Sequence, residues 1–246
     1  MEKCEKGKYN CALCPYRGCY HNEMDTVKMP NCPTLNEQER LNEILSKYEG
    51  ECLKIAKVSA EVAVGRYGGK SRIEETIEFI RKMDYKKVGL VFCYALREEA
   101  RLFANLVDVT LGTKTVLSPT SDEDLSEEEK NKVRFKLESL MCKMGSVERE
   151  KLGLTGFDSA SVPMCNPIAQ ALFINEQETK LNIILGLCVG HDVLFNMFAK
   201  SPATVLAVKD RLYNHDPVKG FYDENGYCYK TLSEKRPMAL KNKITK

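Results

Sequence analysis

From residue 87 onwards, short apolar runs alternate with segments of helical periodicity. The apolar runs are residues 88–92, 133–141, 181–187 and 204–208. Short apolar runs bounded by polar residues are typical of strands buried on both faces of a parallel sheet. The run 133–141 fits a strand or a helix, and we interpret it as a strand because a cysteine follows it, as one follows 88–92. The alternation predicts an α/β domain over residues 85–246, with a parallel, doubly wound, Rossmann-like sheet.

The segment before this domain, residues 34–84, carries helical signals. Thr34-Leu35-Asn36-Glu37 and Ser71-Arg72-Ile73-Glu74 both fit the capping box that opens a helix. A further helical pattern covers residues 52–62. We expect these helices to pack on the core of the α/β domain.

Two further segments do not fit the alternation of strands and helices. Residues 115–132 are rich in acidic side chains and are interpreted as an exposed excursion. Residues 222–228 contain an Asn-Gly pair, which predicts a hairpin. A basic tail follows Pro237.

The composition is that of a globular protein, with 43% hydrophobic and 29% charged residues in a chain of 246. The net charge of +2 gives no electrostatic reason to expect nucleic acid or a membrane surface. No run approaches the ~18 apolar residues of a membrane helix, and residues 1–10 lack the apolar region of a secretory signal. We therefore expect a cytoplasmic protein with neither nucleic-acid nor membrane partners.

Cysteine is the unusual residue, with 11 in the chain. In a reducing cytoplasm, so many cysteines favour metal ligation or catalysis over a disulfide framework. Residues 1–33 are a cysteine-rich segment in which Cys11-x2-Cys14-x4-Cys19-x12-Cys32 supplies four thiolates. Few apolar residues surround these thiolates, so we expect a bound metal or cluster to hold the segment together. Four thiolates suit Zn²⁺ or an iron–sulfur cluster, and the uneven spacing with its closing Cys-Pro favours the cluster.

A second set of cysteines follows the predicted strands. Cys93, Cys142 and Cys188 each end a predicted strand, and Cys165 precedes a helix that begins near Pro167. Parallel strands place their carboxyl ends at one edge of a sheet, so we expect the four sulfurs to lie within one cluster's reach of each other. They would bind a second metal or cluster. A reactive thiol without metal and buried structural cysteines are the alternative interpretations.

Polar side chains flank this second set and are the candidates for catalysis. His191 and Asp192 follow Cys188 closely, and they would be a further ligand or support the ligands. Lys209 and Arg211 follow the run 204–208. These two cations are interpreted as ordinary surface charges or as groups that bind an anionic substrate or offset the charge of a cluster.

Several motifs resemble those of an uncharacterised cysteine-rich family, the domain of unknown function 1847. The motifs are Arg72-Ile73-Glu74-Glu75-Thr76-Ile77-Glu78-Phe79, Cys142-Lys143, Cys165-Asn166-Pro167-Ile168-Ala169-Gln170-Ala171, Gly186-Leu187-Cys188-Val189-Gly190-His191-Asp192 and Lys209-Asp210-Arg211, together with Cys11, Cys14, Cys19 and Cys32-Pro33. The family occurs largely in anaerobic bacteria and archaea and is described as metal-binding. The resemblance implies metal binding, and an anaerobic setting favours iron–sulfur, but it implies no reaction. Residues 115–132 depart from the family pattern and are interpreted as an insertion.

These observations together predict an iron–sulfur protein in redox or sulfur chemistry. We expect one N-terminal cluster, of the [4Fe–4S] type, and a second site at the sheet edge, with an electron-transfer partner or a small anionic substrate. The alternative is a zinc-stabilised module that binds a small anion without catalysis. The sequence leaves open whether the protein is an enzyme.

Overall fold

The computed structural model describes residues 9, 11–63, 69–112, 135–154, 162–228 and 230–231. The chain divides into two compact units, Met1–Val64 and Gly65–Lys246. The sequence predicted boundaries after residues 33 and 84, whereas this single boundary lies between them. None of the described helices combines the length and apolarity that crossing a bilayer requires. The excursion at 115–132 and the tail beyond Pro237 lie outside the described residues.

The described part of the first unit is helical. Its α-helices are α1 (Gly18–His21), α2 (Pro33–Asn36), α3 (Gln38–Leu45) and α4 (Gly50–Val62). The buried apolar side chains of this unit are Val27, Cys32, Val58 and Val62. Cys32 is thus the member of the N-terminal cysteine group with the least solvent exposure.

The capping box predicted at Thr34-Leu35-Asn36-Glu37 is wrong. Helix α2 begins at Pro33 after Cys32, and neither Cys32 nor Glu37 makes a side-chain capping hydrogen bond. Proline is favoured at the first helical position, because its fixed φ suits the helix and its missing N–H would have no partner there. Thr34 therefore lies inside α2, and its hydroxyl oxygen lies 3.4 Å from Cys19 Sγ.

The second unit opens with helix α5 (Arg72–Met83), where the other capping box is confirmed. The Glu74 N–H donates to Ser71 Oγ at 3.3 Å, and the Ser71 N–H donates to Glu74 Oε2 at 2.7 Å. Ile77 and Ile80 of this helix are buried. The box satisfies two N–H groups that would otherwise lack partners at the helix start.

Four strands form one parallel sheet, which confirms the predicted α/β class. The described strands are β1 (Lys87–Phe92), β2 (Lys136–Met141), β3 (Leu181–Leu185) and β4 (Ala203–Ala207), and the described α-helices between them are α6 (Arg97–Leu111), α7 (Pro167–Glu176) and α8 (His191–Phe198). All five residues of β3 are buried. The burial that the sequence pattern indicated is confirmed for β1 and β3, whereas no residue of β2 or β4 is buried, because these two strands lie at the edges of the sheet.

The strand order is β2-β1-β3-β4, so the chain leaves β1 first to one side and then to the other. Phe92 at the end of β1 is paired with Met141 of β2 and with Leu185 of β3. The residues that follow these three strand ends leave the sheet side by side. They are Cys93, Cys142 and Gly186.

The free edge of β4 is covered by a side chain from α5. Arg72 donates from Nη2 to Thr204 Oγ1 at 2.9 Å and to the Val205 carbonyl at 3.1 Å. An exposed strand edge offers unpaired backbone groups to other chains, and a charged side chain on it blocks that pairing. Arg72 therefore ties α5 to the sheet and closes part of this edge.

The hairpin predicted at Tyr222–Cys228 is wrong. The described residues there form turns and a helical start rather than strands, after a 3-10 helix at Pro217–Phe221. The Asp223 carboxylate accepts from the Asn225 N–H at 3.0 Å and from the Tyr213 hydroxyl at 2.8 Å. Asp223 thus closes a local turn and fastens it to Tyr213, and this replaces the cross-strand pairing that an Asn-Gly turn would serve.

Candidate functional site

Two of the predicted site cysteines continue directly from neighbouring strands. The Cys93 N–H donates to the Leu185 carbonyl at 3.1 Å, and the Cys142 N–H donates to the Phe92 carbonyl at 2.9 Å. These bonds extend the sheet by one step beyond β1 and β2. Cys93 is 6% exposed and Cys142 is 2% exposed. Both thiols are therefore held on backbone that the sheet itself fixes.

Cys165 is brought to the same place by the start of α7. The Asn166 N–H donates to the Cys142 carbonyl at 2.7 Å, and the Asn166 side-chain oxygen accepts from the Ala169 N–H at 3.1 Å as the helix cap. Asn166 thus joins the helix start to the end of β2. Cys165 Sγ lies 3.6 Å from Cys142 Sγ. The structure brings Cys93, Cys142 and Cys165 together, and we call them the sulfur trio.

Gln170 ties helix α7 to the strand ends that carry Cys93 and Cys142, and sequence reasoning missed this role. Its side chain is fully buried. Nε2 donates to the Leu140 carbonyl at 2.7 Å and lies 3.5 Å from the Phe92 carbonyl. Gln170 therefore connects α7 to the ends of β1 and β2. Its Oε1 is buried without a partner among the described residues. The sequence did offer one indication of this role, which is a glutamine one turn after Cys165-Asn166-Pro167 on a helix with buried apolar residues.

Hydrogen bonding among the sulfurs separates their pKa values. The pKa of the Cys142 thiol is raised far above its usual value, because hydrogen bonds to Cys165 and Cys93 and burial all favour the protonated form. The pKa of Cys93 is lowered to about 5, first through its hydrogen bond with Cys142. The pKa of Cys165 is lowered to about 6, again first through Cys142. At neutral pH the sulfur trio therefore combines thiolate character with one retained proton.

Positive charges around the sulfur trio favour the thiolates. The Lys209 ammonium contributes to the lowered pKa of Cys93, after the Cys142 bond and the Ala95 N–H. Lys143 and His191 contribute to the lowered pKa of Cys165, after Cys142. The Lys143 ammonium also donates to the Pro163 carbonyl, two residues before Cys165. Lys209 and His191, both predicted from sequence, therefore act on this site electrostatically.

Cys188 is held by a different partner. Arg211 Nη2 donates to Cys188 Sγ at 3.3 Å. Within the described part of the chain, no hydrogen bond joins Cys188 to the other three sulfurs. The Asp192 carboxylate accepts from the Gly190 and Val193 N–H groups at 3.0 and 2.8 Å. Asp192 therefore satisfies two N–H groups at the start of α8, whereas Arg211 contacts the sulfur of Cys188.

The N-terminal cysteines make contacts outside their own group. Cys14 Sγ lies 3.8 Å from the Tyr16 carbonyl oxygen, and Cys19 Sγ lies 3.4 Å from Thr34 Oγ1. Cys11 and Cys19 are exposed. Across the residues that the structure describes, in either unit, no three or more Cys, His, Asp or Glu side chains are arranged to hold one metal ion.

Comparison with known proteins supports the resemblance seen in the motifs. The family described as "Protein of unknown function (DUF1847)" matches residues 32–127 and 111–206. The two matches overlap at 111–127, in the region where the sequence predicted an insertion. "Uncharacterized protein MJ0455" of Methanocaldococcus jannaschii is 32% identical over 226 residues, which are 91% of this chain and 98% of that protein. No solved structure matches the chain. The matched residues include the sulfur trio and Cys188, and the chain belongs to the DUF1847 family.

Proposed function

We propose that this protein binds a metal centre through thiolates at the carboxyl edge of its sheet. The observation that carries the proposal is the convergence of Cys93, Cys142 and Cys165 from two strand ends and one helix start. We further propose that the centre is an iron–sulfur cluster used in redox or sulfur chemistry in the cytoplasm. A second cluster would be held by the N-terminal cysteines, Cys11, Cys14, Cys19 and Cys32.

The position of the sulfur trio supports this proposal. In doubly wound, Rossmann-like sheets, ligands bind outside the carboxyl ends of the strands, where the strand order reverses. We infer that this sheet is of that kind, and its order reverses between β1 and β3. Cys93 follows β1 at this point, and Cys142 follows the neighbouring β2.

The chemistry of the donors fits a thiophilic metal. Thiolates are the ligands of iron–sulfur clusters and of structural zinc, and the pKa values of Cys93 and Cys165 are lowered to about 5 and about 6. Lys209 and Lys143 offset the negative charge that such ligands bring.

One distance favours a second candidate, a zinc-stabilised module that binds a small anion. Zn–S bonds of about 2.3 Å in tetrahedral geometry place two sulfurs about 3.8 Å apart. Cys142 Sγ and Cys165 Sγ lie 3.6 Å apart, close to the sulfur–sulfur distance expected around a zinc ion. A [4Fe–4S] cluster places each thiolate on a different iron, so the sulfurs of the trio would have to move further apart to hold one. In this second candidate, Arg211 and Lys209 would bind the anion.

The chain's own residues have defined roles under either candidate. The sulfur trio would ligate the centre, and Gln170 and Asn166 would hold its three elements in place. Cys188 would be a fourth ligand once released from Arg211, or would leave one position open to substrate. When bound, a cluster would supply electron transfer, whereas zinc would supply a positive charge that polarises a bound group.

Metal analysis of protein purified under anaerobic conditions tests the proposal. Iron, acid-labile sulfide and zinc are measured in wild type, in Cys142→Ser and in Cys14→Ser. Cys52→Ser is the matched control, because Cys52 is exposed and belongs to neither group. We expect Cys142→Ser and Cys14→Ser each to lose part of the metal and Cys52→Ser to lose none. Colourless protein that holds stoichiometric zinc, and no iron after reconstitution, would favour the zinc-stabilised module over the iron–sulfur protein. Absence of both metals would overturn the proposal.

A further inference from the structure

We propose that Cys142 and Cys165 form a reversible dithiol–disulfide pair, so that the sulfur trio is a redox-sensitive site. The observation behind this proposal is that two sulfurs from different elements, separated by 23 residues in sequence, lie 3.6 Å apart in a hydrogen bond with no disulfide between them. The pairing stands on this geometry. Its effect on metal binding rests on the proposed function.

The two sulfurs need to move little to bond. A disulfide brings sulfurs to about 2.05 Å, so closure requires a shift of about 1.5 Å shared between two side chains. Side-chain rotation supplies shifts of this size, whereas the backbone is already fixed. The Asn166 N–H donates to the Cys142 carbonyl at 2.7 Å, and the Met164 N–H donates to the Val147 carbonyl at 2.7 Å. These two bonds hold the chain on both sides of Cys165 against the segment that follows β2.

Accessibility gives the two cysteines different roles. Cys142 is 2% exposed, whereas Cys165 is partly exposed. Cys93 is also buried, so an oxidant from solution reaches Cys165 before the other two sulfurs. The only N–H donor recorded on Cys142 Sγ is the Tyr94 backbone, at 3.3 Å, within the described residues. That bond holds the Cys142 sulfur next to Cys165, where it can resolve a mixed disulfide.

The oxidant is a small-molecule disulfide such as oxidised glutathione. The Cys165 thiolate attacks one sulfur of this disulfide, which forms a mixed disulfide and releases one thiolate of the reagent. The Cys142 sulfur then attacks Cys165 Sγ and releases the second thiolate, while its proton passes to the Cys93 sulfur, to which it is hydrogen-bonded. The reagent takes up two electrons and yields two thiols, and the protein gains one S–S bond. A dithiol reductant reverses both steps.

The consequence for the proposed metal centre is direct. A disulfide between Cys142 and Cys165 removes two of the three thiolates of the sulfur trio, and a disulfide sulfur is a poor metal ligand because the thiolate is the ligating form. Oxidation would therefore release the metal, and bound metal would protect the pair. Reduction would restore the site.

The test uses the full chain, reduced and freed of metal with a chelator under anaerobic conditions. Oxidised glutathione is added, the remaining thiols are alkylated, and the linked peptides are mapped by mass spectrometry without reduction. In wild type we expect a Cys142–Cys165 link and little glutathione on Cys165. In Cys142→Ser we expect at least about tenfold more glutathione on Cys165, because the nearby resolving thiol is absent. Cys52→Ser should behave as wild type.

Two results would overturn the pairing. One is glutathione that remains on Cys165 in wild type to the same extent as in Cys142→Ser. The other is a dominant link from Cys142 to Cys93. In a separate arm, Zn²⁺ alone is bound to reduced and to oxidised chain. Equal zinc in the two forms would overturn the redox dependence of the site, whereas zinc bound to neither form would count against the proposed metal site and leave the mapped disulfide standing.

Discussion

Substitution of Gly186 by alanine tests how the end of β3 packs against the segment that follows Cys93. Gly186 has φ +66°, and a Cβ built on it would lie 2.0 Å from Leu96 Cδ1. Leu96 is 4% exposed, so its side chain has no open space into which to move. The left-handed backbone costs alanine about 1–2 kcal/mol, and overpacking of the core costs about 1–3 kcal/mol. We therefore expect Gly186→Ala to lower the free energy of unfolding by about 2–5 kcal/mol.

Gly112→Ala is the matched control in the same unit. Gly112 has φ +69°, and a Cβ there would meet nothing within 4 Å. It should therefore show only the backbone cost, about 1–2 kcal/mol. Urea unfolding followed by far-UV circular dichroism gives both values, provided that the slopes of the unfolding transitions agree. If Gly186→Ala and Gly112→Ala lose the same free energy of unfolding, the contact with Leu96 does not restrict the residue at position 186.

A double variant separates the contact from the backbone strain. Leu96→Ala leaves room for the new methyl group, so Gly186→Ala should cost less in that background than in wild type. The difference is the coupling between the two positions, and we expect about 1–3 kcal/mol. Additive losses in the double variant would contradict the proposed steric origin.

Three further substitutions address the start of helix α5, the N-terminal cysteines and Gln170 next to the sulfur trio. Ser71→Ala should lower stability by about 1 kcal/mol through loss of the cap. The pKa of Glu74 is held below its usual value, first by its hydrogen bond to the Ser71 side chain, so the stabilisation from this carboxylate is present above the usual carboxyl pKa and is lost as the pH falls through the lowered value. Thermal unfolding of wild type and Ser71→Ala between pH 3 and pH 7 checks this. A stability difference between the two proteins that does not shrink at low pH would contradict it. Cys14→Ser should release the metal proposed for the N-terminal cysteines and make residues before Pro33 sensitive to protease, and unchanged resistance in limited proteolysis would show that thiolates do not hold this segment. Gln170→Leu leaves a buried backbone carbonyl without its donor, so it should cost about 1–3 kcal/mol and weaken metal binding; intact metal affinity at reduced stability would assign Gln170 to the fold alone.

Local sequence patterns were sufficient for the four strands and for the class of the fold. The run that became β3 is apolar and short, which is the pattern of a strand buried on both faces of a parallel sheet. The capping box at Ser71 and Glu74 uses residues three positions apart, so its hydrogen bonds form as soon as the helix does. The placement of Cys93 and Cys142 after strands followed from the same patterns, because parallel strands end at one edge.

The tertiary structure decided which of these residues meet, since contacts between distant segments depend on packing that no local pattern contains. Cys188 also follows a strand, and its sulfur accepts a hydrogen bond from Arg211, 23 residues away, a partner that no local pattern indicates. Gln170 became a brace because β1 and β2 present carbonyl groups to α7. The predicted hairpin gave way to a turn fastened by Asp223 and Tyr213. In each case a polar group took a partner that lies far from it in sequence, because a partly buried hydrogen-bonding group is stabilised by whichever partner the fold brings within reach.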